Sequence, residues 1–103
     1  MVYAMDFATE RTYTTTELAK ELDMGSARRF REWLVAHGVM RREGELWVLT
    51  DAYKGRGLTR VKESRYWKAS GQPGVSIITV WTERGRRWLR GLVDSLGEKG
   101  LFD

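Results

Sequence analysis

The chain has 103 residues and a mass of 12.0 kDa, the length of one small domain rather than two. Its 42% hydrophobic content is typical of a globular domain, and its net charge of +4, with 13 arginines among 18 cationic residues, weakly indicates an anionic partner. The chain has no cysteine and one histidine, His37, which excludes disulfides, thiol nucleophiles and zinc fingers. No apolar run approaches the ~20 residues of a membrane helix, and the start lacks a signal-peptide pattern. We therefore expect an intracellular protein with no metal, no cofactor and no membrane contact.

The first strong structural signal is a helix start, which follows an aperiodic lead-in over residues 1–12. Thr14 and Glu17 fit the S/T-x-x-E capping box, in which each side chain satisfies a free backbone N–H of the first turn. Tyr13 and Leu18 occupy the two hydrophobic-staple positions around that cap. The pattern predicts a helix that runs to about Met24.

A second helix is predicted from Ser26, its N-cap residue, to about His37. Gly38 occupies the position where a left-handed C-terminal cap belongs. At about 100° per residue, the helix has an apolar side and a charged side. The apolar side holds Ala27, Phe30, Trp33, Leu34 and His37, and the charged side holds Arg28, Arg29 and Glu32, with Arg31 at the flank.

After Gly38 the hydrophobic period changes to that of strands, and turn residues divide the segment into two hairpins joined by a basic loop. The predicted pieces are Val39–Arg42 with Glu45–Thr50 around Glu43-Gly44, the loop Ala52–Gly57, and Leu58–Ala69 with Val75–Trp81 around residues 70–74.

Thr82 is placed to cap a last helix, which ends before an expected tail at residues 98–103. Gly85 and Gly91 each weaken this helix by about 1 kcal/mol relative to alanine, so packing must hold it. Its apolar stripe is Trp88, Leu89, Leu92, Val93 and Leu96, with Arg86, Arg87 and Arg90 opposite. Residues 13–97 are thus expected to form a single domain.

Two helices, a short hairpin, a long hairpin and a final helix make the order of a winged helix-turn-helix, an α+β fold. The second helix of this fold enters the DNA major groove with its N-terminal residues first. The net charge is −3 over residues 1–27 and +7 from residue 28 onward. The positive charge therefore lies in the segments that such a fold offers to phosphate.

The sequence also resembles the C-terminal domain of phage antirepressors, the KilA C-terminal domain. The matching stretches are Tyr13–Leu22, His37–Tyr53, Lys54–Thr59 and Trp81–Leu89, in the same order and within residues 12–97. The most specific is the tryptophan-threonine-x-basic-glycine-arginine pattern that begins at Trp81. The resemblance implies a winged helix-turn-helix in a regulatory protein of a temperate phage or prophage, located in the cytoplasm of the bacterial host.

Two departures from the family pattern bear on function. The family usually has methionine directly before serine in the turn, whereas Gly25 separates Met24 from Ser26 here. We expect the additional residue to rotate or displace the second helix. Antirepressors normally carry another domain ahead of this one, and the chain resembles their C-terminal module alone.

Candidate contacts to nucleic acid lie in the second helix and in the basic segments after it. Arg28, Arg29 and Glu32 are placed to meet base edges or phosphates, and a merely solvated helix face is the alternative. Arg31 is expected to make a flanking contact or an intrachain ion pair. The alternative for the basic loop and wing is an exposed edge strand that its charges protect from aggregation. The phosphate candidates in these segments are Lys54, Arg56, Arg60, Lys62, Arg65 and Lys68.

The aromatic residues are expected to serve mainly in packing. Four tryptophans lie on apolar stripes and are predicted in the core rather than in a base-stacking platform: Trp33, Trp47, Trp81 and Trp88. Of Tyr66 and Trp67 in the wing, we expect at least one to be buried. His37 is predicted to be a packed or dipole-stabilised residue in the last turn of its helix.

The sequence has no phosphate-binding loop G-x-x-x-x-G-K-[ST], no G-x-S-x-G elbow and no H-x-x-x-H pair, so we predict no enzyme and no catalytic residue. The first hypothesis is a regulator that binds double-stranded DNA. The alternative is a protein-binding inhibitor on the same fold, an anti-repressor or anti-CRISPR protein that binds a host or phage protein and blocks a host nucleic-acid-binding complex. Homodimerisation through the last helix is compatible with both.

Overall fold

The computed structural model describes residues 11–96, so the predicted tail and most of the lead-in lie outside the described residues. Within them the elements are α1 (Thr15–Glu21), α2 (Ala27–Ala36), β1 (Met40–Glu43), β2 (Leu46–Leu49), β3 (Thr59–Trp67), β4 (Pro73–Trp81) and α3 (Glu83–Leu96). β1 pairs with β2 and β3 pairs with β4, in two antiparallel sheets. The predicted α+β class is confirmed, and the element order is consistent with a winged helix-turn-helix.

α1 begins at its predicted cap and ends three residues before the predicted Met24. The Thr14 hydroxyl accepts a hydrogen bond from the Glu17 N–H at 3.1 Å, and the Glu17 carboxylate accepts one from the Thr14 N–H at 2.8 Å. Asp23 then takes a left-handed conformation with φ 58°, and the Met24 N–H donates to the Ala19 carbonyl at 2.8 Å. This bond closes the helix end, which explains why the prediction to Met24 was too long.

α2 has both of its predicted caps. The Ser26 hydroxyl accepts a hydrogen bond from the Arg29 N–H at 3.1 Å. At the other end Gly38 has φ +73°, and the Val39 N–H donates to the Leu34 carbonyl at 2.9 Å. The predicted apolar side is confirmed at its centre, where three residues are buried: Phe30, Trp33 and Leu34.

The strand bounds shift by one or two residues from those predicted. The β1–β2 turn is Gly44-Glu45 rather than Glu43-Gly44, because Gly44 takes φ +64° at the first turn position. β3 is shorter than predicted at both ends, and β4 begins at Pro73 rather than Val75.

The hairpin β3–β4, which we call the wing, presents two different faces because successive side chains on a strand alternate. Its rungs include Lys62 opposite Ile78 and Arg65 opposite Val75. We call one side the apolar wing face: Val61, Glu63, Arg65, Trp67, Pro73, Val75, Ile77 and Thr79. We call the other side the basic wing face: Arg60, Lys62, Ser64, Tyr66, Gly74, Ser76, Ile78 and Val80.

The tryptophans divide between the core and its margin. Trp33 and Trp81 are buried as predicted, and the Trp81 indole N–H donates to the Thr15 hydroxyl at 3.3 Å. Trp47 and Trp88 are half-buried and pack against the core, so the prediction holds for them only in part. The other members of the core cluster come from the three helices, β1, β2 and the connecting segments: Leu18, Ala19, Leu22, Met24, Phe30, Leu34, Val39, Met40, Leu49, Leu58, Leu89 and Val93.

The expectation that Tyr66 or Trp67 is buried is wrong. Tyr66 is 48% exposed and Trp67 is 76% exposed. They pair with Gly74 and Pro73 at the end of the wing farthest from the buried Trp81. Their strand position therefore carries both rings beyond the core.

The start of α3 is fixed by the predicted Thr82 cap. The Thr82 hydroxyl accepts from the Gly85 N–H at 3.0 Å and donates to the Gly57 carbonyl at 2.6 Å. Arg86, expected on the solvated side, is half-buried, because its guanidinium donates to Glu21 of α1 at 2.7 Å and to Glu83 at 2.9 Å. An ion-pair network thus joins the first and last helices.

Candidate nucleic-acid interface

The outward side of α2 carries the predicted charged residues. Burial of Phe30 and Leu34 against the core leaves Arg28, Arg29 and Glu32 exposed. The Arg28 Nε lies 3.4 Å from a Glu32 oxygen, and both side chains are more than half exposed. Exposed pairs of this kind contribute at most about 1 kcal/mol. Arg28 can therefore exchange this partner for a phosphate or a base edge at little cost.

Arg31 lies at the flank of α2, over the indole of Trp47. Its guanidinium carbon is 5.7 Å from the Trp47 ring centre, and that of Arg42 in β1 is 5.3 Å from the same ring. Both distances fall within the range of cation–π attraction. Trp47 therefore lies within cation–π distance of two arginines from different elements, and the Arg42 Nε also donates to the Gly44 carbonyl at 3.1 Å.

Arg42 is a functional candidate that the sequence reasoning missed. The sequence contained a signal for it, because the alternation of side chains along β1 places Arg42 on the same side as the buried Met40 and across from Trp47. Arg41, its neighbour, projects to the other side of the strand and pairs with Glu43 at 2.8 Å.

One shallow groove connects the flank of α2 with the wing, and a second connects the β1–β2 hairpin with the wing. One is lined by Arg31 and Trp47 together with Ile77 and Ile78 of β4. The other is lined by Arg42 together with Tyr66 and Ser76 of the wing. The structure thus brings the flank of the second helix and the wing to one concave surface around Trp47.

The basic loop forms a second group of cations near the start of α3. The Arg84 guanidinium donates to the Arg56 carbonyl at 3.4 Å, and a groove beside it is lined by Gly57, Arg60 and Arg84. Arg56 also lies over the Tyr53 ring at 5.5 Å. Arg84 was not among the predicted contacts, although it is the basic residue of the pattern that begins at Trp81.

Lys54 in the same loop forms an ion pair within its own turn. Its ammonium lies 2.9 Å from the Asp51 carboxylate, and this hydrogen bond lowers the pKa of Asp51. The Lys54 side chain remains 64% exposed. Lys54 can therefore meet a phosphate from the loop while it holds the turn.

The wing does not present its predicted cations on one side. Arg60 and Lys62 belong to the basic wing face, whereas Arg65 belongs to the apolar wing face. Lys68 is exposed in the turn after β3, where its N–H donates to the Gln72 carbonyl at 2.8 Å. A duplex that follows the basic wing face therefore meets Arg60 and Lys62 but not Arg65.

The turn between the first two helices accommodates Gly25 through its backbone. Gly25 has φ +82°, a conformation that favours glycine, and the next residue, Ser26, caps α2. Leu22, Met24 and Phe30 remain buried where the two helices meet. The displacement of the second helix that the additional residue implies stays a prediction.

The shifted pKa values have structural causes. Hydrogen bonds from Arg86 and Tyr13 lower the pKa values of Glu21 and Glu83, respectively, and the Glu83 bond raises the pKa of Tyr13. Within residues 11–96, no group of three or more His, Asp or Glu side chains is placed to hold a metal ion. No helix in that range is long and apolar enough to span a bilayer.

Comparison with known proteins identifies one family. The family model described as Phage antirepressor protein KilAC domain matches residues 5–95, which is most of the chain. No curated protein and no solved structure matches the chain.

Proposed function

Because the chain belongs to the phage antirepressor KilAC domain family, a family of phage regulatory proteins, we propose that it is a non-enzymatic regulator that binds double-stranded DNA. The observation that carries this proposal is the outward side of α2. The first turn of the second helix exposes Arg28 and Arg29, and Glu32 lies one turn later. Arginine pairs with guanine O6 and N7, and glutamate accepts from cytosine N4, so this side has the groups to read base edges.

Contacts to the DNA backbone would come from the flank of α2 with β1 and from the basic loop with the wing. Arg31 of α2 and Arg42 of β1, both within cation–π distance of Trp47, line the grooves that lead to the wing. The remaining backbone contacts in this proposal are Lys54, Arg56, Arg60, Lys62 and Lys68. Arg65 is left out because it belongs to the apolar wing face.

The test is a titration of random-sequence duplex DNA with the full chain, followed by fluorescence anisotropy at several salt concentrations. If five cations neutralise phosphates, the logarithm of the binding constant should fall with the logarithm of salt concentration with a slope of about −4.5. The double variant Arg28→Ala/Arg29→Ala should bind at least about tenfold more weakly, since two charge-assisted contacts are lost. Arg87→Ala is the matched control, because Arg87 is 76% exposed on α3 and pairs with Glu83 of the same helix.

Two results would overturn this assignment. Undiminished binding by the Arg28→Ala/Arg29→Ala variant would exclude α2 as the recognition helix. No measurable binding at low salt would favour the protein-binding alternative, in which the chain blocks a nucleic-acid-binding complex. Purification from nuclease-treated host lysate would then be expected to yield a stoichiometric protein partner.

A further inference from the structure

The apolar wing face exposes four large hydrophobic side chains outside the core. Val61, Trp67, Val75 and Ile77 are 61%, 76%, 54% and 57% exposed, respectively. Scattered exposed hydrophobics are common, but a contiguous apolar patch on one sheet face marks an interaction site. Its single acid and single base, Glu63 and Arg65, cancel in charge. The patch therefore has no net charge, whereas the basic wing face carries Arg60 and Lys62.

On either side of its centre, this face carries opposite charges on β3 and similar β-branched side chains on β4. The two central rungs pair Glu63 with Ile77 and Arg65 with Val75. An acid beside one β-branched residue is thus followed by a base beside another. The outer rungs place Val61 at the core end and Trp67 at the tip.

We propose that the apolar wing face binds the same face of a second copy of this chain, about a two-fold axis that passes between the two central rungs. A two-fold interface joins one patch to itself, so residue i contacts residue j and residue j contacts residue i. With the axis between these rungs and across the strands, Glu63 lies opposite the partner's Arg65, and Ile77 lies opposite the partner's Val75. Each pairing occurs twice.

The same axis gives Trp67 a place to bind. It brings the tip of one wing to the core end of the other, where Val61 lines a groove of about 310 Å³ together with Arg41 and Val48. This groove offers an indole an apolar wall and a guanidinium, which favours aromatic binding. The 76% exposed Trp67 and the open groove beside Val61 are therefore complementary halves of one interface.

Charge complementarity singles out a second copy as the occupant. Neither Glu63 nor Arg65 has an ion-pair partner among the described residues, and in the dimer each obtains one. The face spans seven residues of each strand, roughly 20 Å at about 3.3 Å per residue. A patch of this size falls at the lower end of stable interfaces, so we expect a dissociation constant on the order of micromolar.

The test is sedimentation equilibrium of the full chain over a wide concentration range. The native chain should form a dimer. Glu63→Arg and Arg65→Glu should each weaken dimerisation at least about tenfold, because each places two like-charged pairs across the interface. The double variant Glu63→Arg/Arg65→Glu should restore it, since exchange of the charges on both copies recreates the opposite pairs. Trp67→Ala should also weaken it.

The control is Ser76→Arg, which adds a charge to the exposed basic wing face and should leave the dimer unchanged. Circular dichroism of every variant establishes that loss of the dimer is not loss of the fold. A chain that is monomeric at all concentrations would overturn the proposal, as would a dimer that tolerates both single charge reversals and Trp67→Ala. Duplex binding is measured separately with variants of α2, so failure of the dimer and failure of the proposed function are distinguishable.

Discussion

Gly85 and Leu58 approach so closely that a Cβ atom at Gly85 would lie 2.0 Å from the Leu58 carbonyl oxygen. The contact joins the first turn of α3 to the residue before β3. From the sequence alone, Gly85 is a helix-weakening residue. The structure shows why a glycine is present at this position, since no residue with a side chain permits this approach.

Gly85→Ala should therefore destabilise the protein by about 3 kcal/mol or more, because the backbone of Leu58 or of α3 must move. Gly91→Ala in the same helix is the matched control, since no atom lies within 4 Å of a Cβ at that position. Alanine there should raise the free energy of unfolding by about 1 kcal/mol. Urea denaturation of both variants measures the contrast, and equal effects would contradict the packing account.

Thr82 joins the start of α3 to the loop before β3 through one buried hydroxyl. It accepts from the Gly85 N–H, and its one hydrogen is shared between the Gly57 carbonyl at 2.6 Å and the Leu58 carbonyl at 3.2 Å. Thr82→Val keeps the shape but leaves the Gly85 N–H and the Gly57 carbonyl without this partner, which should cost about 2 kcal/mol. Thr82→Ser keeps the hydroxyl and should cost less than about 1 kcal/mol. Thermal unfolding of the pair separates the hydrogen bonds from the lost methyl group.

The parts of the fold that the sequence predicts well are those that depend on neighbouring residues. The Thr14–Glu17 capping box and the Gly38 cap are local patterns, and both occur as predicted. The need for glycine at Gly85 depends on a contact with Leu58, which is distant in the sequence. The exposure of Trp67 depends on the absence, within residues 11–96, of any core residue beside the end of the wing. Periodicity contains no information on how far a hairpin extends past the core.

Glu21 should make the stability of the fold sensitive to acid. The hydrogen bond from Arg86 holds the pKa of Glu21 below its ordinary value, and a further bond from Arg90 acts in the same direction. A carboxyl whose pKa is lower in the folded state stabilises it above the unfolded pKa and loses that contribution as the pH falls through the folded pKa. The free energy of unfolding should therefore decrease as the pH falls below about 5.

Glu21→Gln should remove its share of this decrease, so the variant and the native chain should converge in stability at low pH. Urea denaturation midpoints between neutral and acidic pH provide the measurement. Glu45→Gln, an exposed residue of the β1–β2 turn, is the control and should leave the difference between neutral and acidic pH unchanged. A Glu21→Gln variant with the full native pH dependence would show that the Glu21–Arg86 pair does not contribute.

The candidate interface also depends on strand geometry that charge counting does not resolve. The net charges of the segments point to the loop and wing as the basic surface. The alternation of side chains along the strands nevertheless separates Arg65 from Lys62 and places Arg42 over Trp47. Adjacent arginines on β1 make this separation testable. Arg42 faces the concave surface beside the wing, whereas Arg41 faces the other side and pairs with Glu43.

Arg42→Ala should weaken duplex binding and make the slope of the logarithm of the binding constant against that of salt shallower by about 0.9, the value for one phosphate contact. Arg41→Ala removes the same charge from the other side of the strand and should leave both quantities close to native. Anisotropy titrations over a salt series measure the two variants side by side. An equal loss in both variants would mean that duplex DNA responds to net charge alone, because only a positioned contact distinguishes two neighbouring arginines that face opposite ways.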